Sequence, residues 1–142
     1  MARRLTAISR VIDEPKTIPF KNGGGVTAAV GAVQCWKILT TGREETETPS
    51  STNRYALAGV VFGATAEGQD VTDGNYGHLL SSGRGLVKVD GTVNIAAGDA
   101  LTVVAGSVHL IKDTSAPSNP PFIAMEAYTT ASVALKTVQV NL

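Results

Sequence analysis

Two stretches decide the fold: GLVKVDGTVNIAAGDALTVVAGSVHLIK, from Gly85 to Lys112, and PFIAMEAYTTASVALKTVQVNL, from Pro121 to Leu142. Short runs of valine, isoleucine, leucine and alanine alternate with Asp-Gly, Gly-Asp and Ala-Gly turns. Runs of this length, broken by turn residues, read as strands of an all-β domain. The first hairpin is expected across Val89-Asp90-Gly91 with Val87 opposite Val93. A two-residue Asp90-Gly91 loop would mix buried and exposed faces, and a one-residue slip inverts every side chain. Ala96 to Asp99 is the next turn. Leu101–Val104 and Val108–Ile111 pair across Ala105-Gly106, and Thr114–Pro121 is a stiff loop. Phe122–Tyr128 and Val133–Leu142 are the closing strands. The parity of apolar residues changes between Leu135 and Val138, which predicts a bulge near Lys136 and Thr137.

Working backward from Gly85, Ser81-Ser82-Gly83-Arg84-Gly85 reads as a turn after a short strand opened by His78-Leu79-Leu80. Ala64 to Gly77 is turn-rich, with Asp73-Gly74 as a hairpin signal. Tyr55 to Gly63 (YALAGVVFG) has the length and flanks of a fully buried strand. Thr40 to Asn53 is a polar loop carrying Glu44, Glu45 and Glu47 beside Arg43, a solvated cluster rather than a metal site. Val26 to Leu39 alternates as strand, with a kink at Gly31. Asn22 to Gly25 is a hinge.

The first twenty residues differ. Three arginines fall within the first ten positions, and Pro15 and Pro19 favour extended backbone. Residues 1–20 are expected to form an extended arm, reaching about 60 Å at most, with a strand near Thr6 to Ile12 or a short amphipathic helix over Leu5 to Ile12. Residues 21–142 then form one all-β domain.

Twelve basic residues balance twelve acidic ones, which gives no electrostatic case for nucleic acid. Charged residues make up 17% of the chain, against roughly 25% in ordinary domains. Much of the outer surface is therefore expected to face another protein. The single cysteine, Cys35, excludes an intrachain disulfide and a thiolate metal cage. No signal-peptide core and no stretch of membrane-spanning length appears, so synthesis in the cytoplasm and no membrane partner are expected.

Catalytic signatures are not found. His78 and His109 each sit within an apolar run and fit no metal spacing, and there is no Gly-x-Ser-x-Gly elbow. The glycine clusters at 23–25 and 83–85 lack a phosphate-loop lysine. Asp73-Gly74-Asn75-Tyr76-Gly77 and Ser81-Ser82-Gly83-Arg84 loosely resemble motifs of trimeric dUTPases. Here the motif order is wrong and the glycine-rich C-terminal motif is missing. Lys88 lies beside a turn but not at its tip, unlike the modified lysine of carrier domains. No catalytic residue, metal ligand or cofactor is assigned.

Val93-Asn94-Ile95-Ala96-Ala97-Gly98-Asp99-Ala100-Leu101, the strand it opens, Gly106-Ser107-Val108 and the Pro-Phe-Ile-Ala-Met-Glu-Ala segment resemble the small tailed-bacteriophage proteins that decorate or cement capsids. The likeness runs from about Gly59 to Leu142 and does not include Met1 to Asn53. It implies a small β-barrel or β-sandwich, jelly-roll or β-tulip-like. It also implies a homotrimer on the outer surface of an icosahedral head, bound to the major capsid protein and cementing neighbouring capsomers of the expanded shell. On that reading the chain is a non-enzymatic virion structural protein made in the host cytoplasm. The alternatives are a small trimeric β-type hydrolase and a head-completion or tail component. Arg3, Arg4, Leu5, Ile8, Arg10 and Ile12 of the arm are the expected capsid contacts. Trp36 and Phe62 are expected to anchor the core or the subunit interface. Removing Met1 to Phe20 is expected to leave the body folded and weaken shell binding.

Overall fold

A computed structural model of the chain describes residues 15–38, 44–65 and 67–142. Nine strands carry the fold: β1 (Lys16–Asn22), β2 (Val33–Trp36), β3 (Glu45–Glu47), β4 (Leu57–Gly63), β5 (Tyr76–Asp90), β6 (Ala100–Val103), β7 (Leu110–Lys112), β8 (Phe122–Ala124) and β9 (Val133–Asn141). The described residues contain no helix, so the all-β expectation holds. The strands are hydrogen-bonded in the order β1-β3-β2-β4-β5-β7-β6-β8-β9, and β5 also pairs with β1 and β9. The pairing therefore closes on itself twice through β5. One ring runs β1-β3-β2-β4-β5 and the other β5-β7-β6-β8-β9. Closure is thin at two links. β1 and β3 meet in parallel at Lys21↔Glu45 and Asn22↔Thr46, and β5 meets β7 only at Val89↔Leu110. The result is a partly closed, barrel-like sheet.

Each ring has its own core. Phe20, Ala58, Val61, Val71 and Leu79 fill the first. Val60, Leu80, Val87, Leu101, Phe122, Val138 and Val140 belong to the second. Successive residues of a strand point to opposite faces. Val60 and Val61 on β4, like Leu79 and Leu80 on β5, therefore serve different cores. That double burial explains the unbroken apolar run of YALAGVVFG.

The turn expected at Ser81–Gly85 is instead the middle of the longest strand. Tyr76–Ser82 pairs with β1, and its first residues pair with β4. Ser82–Asp90 then runs unbroken along β9, from Ser82↔Asn141 to Asp90↔Val133. Gly83, at φ +111°, lets the strand bend from one ring into the other. Long partners on either side hold extended a segment whose composition alone reads as a turn.

That register also removes the expected bulge near Lys136 and Thr137. The apolar parity of β9 changes because Val133 and Leu135 face outward while Val138 and Val140 face the core. The hairpin across Val89–Gly91 is absent as well, since Val87 pairs with Lys136 rather than Val93. Asp90 Oδ1 accepts the Thr92 N–H at 2.9 Å and the Thr92 hydroxyl at 2.7 Å, turning the chain away from β5. Ile95 then bridges to Tyr128.

The second expected hairpin is present as β6–β7, with Val103 opposite Leu110. Its loop is longer than expected because Val108 leaves the ladder to pack on the first core, where its carbonyl accepts the Val33 N–H at 2.9 Å. The expected polar loop at 40–53 contains β3. Thr46 is fully buried between outward-facing glutamates, and its hydroxyl donates to Gln34 Oε1 at 3.1 Å. A strand whose buried residue is polar gives no hydrophobic alternation to read.

The arm expected over residues 1–20 needs correcting at its inner end. Lys16–Asn22 is a strand of the first ring and Phe20 is fully buried in its core, so Lys16 to Phe20 belong to the folded body. Their prolines and lysines mask a strand held by pairing with β5. The strand or helix expected near Thr6 to Ile12 lies outside the described residues.

Candidate functional surface

The outer face of β5 and β9 is built by alternation. Register places Arg84 opposite Gln139, Leu86 opposite Thr137, Lys88 opposite Leu135 and Asp90 opposite Val133. These eight side chains share the face opposite Val87, Val138 and Val140. Leu86 is 54% exposed, Val133 46% and Leu135 44%. Leu135 lies against Gly31, close to the backbone of Leu86, so the two leucines flank one groove. Beside it, a cleft of about 200 Å³ opens between β4 and the bend of β5, lined by Pro15, Val30, Phe62, Leu80 and Leu86.

A second exposed feature lies on the β3–β4 connection. Tyr55 is 83% exposed, with the Arg54 guanidinium 4.8 Å from its ring centroid. A cleft of about 210 Å³ beside it is walled by Leu57, Val103, Pro121 and Phe122. An aromatic ring with an arginine over its face suits protein contact.

The residues singled out from sequence are scattered. Arg3, Arg4, Leu5, Ile8, Arg10 and Ile12 all lie outside the described residues. Trp36, at the end of β2, is partly buried against the first core. Phe62, on β4, packs against the second core and lines the cleft beside Leu86. Leu86, Leu135 and Tyr55 were not singled out. The parity change in β9 was the available signal for Leu135, because apolar residues on both parities place some of them outside.

The acidic cluster is neutralised locally. Glu45 sits between Lys21 and Lys37, each 3.5 Å away, and Glu47 Oε1 accepts the Asn53 amide at 2.8 Å. Among the described residues no cluster of His, Cys, Asp or Glu is arranged to hold a metal ion. Asp73 Oδ1 accepts the Gly25 N–H at 2.9 Å, joining two turns. Tyr76 and Arg84 stand at opposite ends of an extended segment, about 26 Å apart at the usual strand rise. The two dUTPase-like motifs are therefore not brought into one pocket of this chain.

The charged groups that depart from their ordinary behaviour tie loops down. Hydrogen bonds from Thr92 hold the Asp90 carboxyl below the usual range, with His109 adding a smaller effect from 3.9 Å. Asp99 is lowered first by the Ala96 N–H and then by Lys112, 3.0 Å away. Asp113 is lowered by Ser115, and Glu126 by the Thr137 N–H. Burial, and then the charge of Glu47, push the Cys35 thiol up to about 12. A thiol so placed is a packing residue rather than a nucleophile.

The chain matches no protein-family model and no curated protein sequence.

Proposed function

We propose that this chain is a non-enzymatic virion structural protein that binds the outer surface of an icosahedral capsid and cements neighbouring capsomers. The observation that carries the reading is the outer β5–β9 face. Leu86, Val133 and Leu135 stand exposed on strands whose backbone pairing is continuous. An apolar face on a rigid sheet is suited to lie against another protein. The low charge of the chain and the resemblance over Gly59 to Leu142 support the same reading. A homotrimer seated where capsomers meet, with the major capsid protein as partner, follows from that resemblance.

Arg3, Arg4, Leu5, Ile8, Arg10 and Ile12 would supply the reaching contacts, arginine pairing with capsid carboxylates in forked geometry. Many copies on one lattice bind through avidity, so no single contact must be tight.

The test is copy number in purified virions, by quantitative mass spectrometry against the major capsid protein. Near-stoichiometric copies support a cement. A handful per particle overturns it in favour of a head-completion or tail component, and absence from particles overturns a virion role. A chain lacking residues 1–14 tests the arm, because its shell binding should fall while the folded body remains.

A further inference from the structure

The backbone of β5 has a gap along one edge. Ser81 accepts the Leu142 N–H at 2.9 Å on the β9 side, and Lys88 donates to Gly31 at 2.9 Å on the opposite side. Alternation then directs the backbone groups of Ser82, Arg84, Leu86 and Lys88 away from β9. Ser82 lies opposite Lys16 of β1. Lys88 is closed by Gly31, and β7 follows at Val89. Arg84 and Leu86, between those closures, pair with no strand among the described residues on that side. The gap spans about 20 Å at the usual strand rise, and it coincides with the apolar cleft lined by Val30, Phe62 and Leu80.

The described chain begins at this gap, because Pro15 lines the same cleft. We infer that the cleft is a strand-accepting site whose occupant is the chain's own segment Val11–Glu14, continuing β1 along β5.

Three observations support that occupant. Extending the Lys16↔Ser82 register puts Glu14 opposite Arg84 and Ile12 opposite Leu86, one opposite-charge pair and one apolar pair. In that register Pro15 faces away from β5, where its missing N–H costs no ladder bond. The segment is also tethered at the mouth of the cleft, so its effective concentration there exceeds that of a free partner. Occupancy would cover part of Leu86 and leave Arg3 to Arg10 free.

Disulfide trapping in the full-length chain tests the register. Cys35 is buried and leaves oxidation to the introduced pair. The double variant Ile12→Cys, Leu86→Cys should form an intrachain bond at least about tenfold more completely than the slipped pair Asp13→Cys, Leu86→Cys, since directly opposed strand residues lie within bridging distance. Equal trapping of both pairs overturns the proposal. So does an interchain product, which would give the cleft to a second copy. The unmodified chain gives an independent reading through hydrogen exchange. The Arg84 and Leu86 amides should exchange at least about tenfold more slowly than exposed loop amides, and free exchange at both overturns the proposal.

Discussion

Single side chains in this molecule act mostly by closing turns and filling two cores. Cys35 illustrates the buried case, with its thiol raised to about 12. At pH 8 a disulfide reagent should label the native chain at least about a hundredfold more slowly than the urea-unfolded chain, since only thiolate reacts. The aspartates illustrate the exposed case. The folded pKa values of Asp90, Asp99 and Asp113 lie below 3.8, and that of Glu126 lies below 4.5. A carboxylate lowered by folding stabilises the fold above its unfolded value and loses that contribution as pH falls through the folded value. Thermal midpoints should therefore hold from pH 7 to about 5 and fall below about 4. Asp99→Asn should flatten part of that decline. Asp99 was legible as a turn residue from Ala-Ala-Gly-Asp. Its partner Lys112 was not, because that pairing depends on the β6–β7 register.

Elements depend on close backbone approach. Gly59 on β4 faces β5 so tightly that a Cβ would come within 2.7 Å of the Leu80 carbonyl and 2.9 Å of Leu79 Cβ. Gly59→Ala should lower stability by about 2 kcal/mol, read as a lower urea midpoint with unchanged slope. The buried strand at 55–63, the turn at 96–99 and the closing strand were legible because each rests on local composition or period. β3 was not, because its inward residue is Thr46. The fused β5 was not, because Ser-Ser-Gly-Arg-Gly resembles a turn until β9 is laid beside it.

The whole molecule is two rings sharing one strand, so loss of one partner of β5 should propagate. Removing residues 1–20 deletes most of β1, including fully buried Phe20, and opens the first ring. That deletion should abolish cooperative unfolding. Removing residues 1–14 should preserve it, with a thermal midpoint within about 8 °C of the full chain for a loss near 2 kcal/mol. Calorimetry of the two truncations distinguishes the folded body from what precedes it. The candidate surface belongs to this scale too. Leu86 and Leu135 lie far apart in sequence and are joined by the β5–β9 register.

The sequence by itself determined that the chain is all-β, where several of its turns fall, and that Cys35 has no cysteine partner. Those are properties of composition and of near neighbours, which act before the chain is folded. Tertiary structure decided that β5 is one strand in two rings, that Lys16–Asn22 belongs to the sheet, and which apolar residues face out. Each of these depends on which strand lies alongside, and long-range pairing is set by the burial of both partners together.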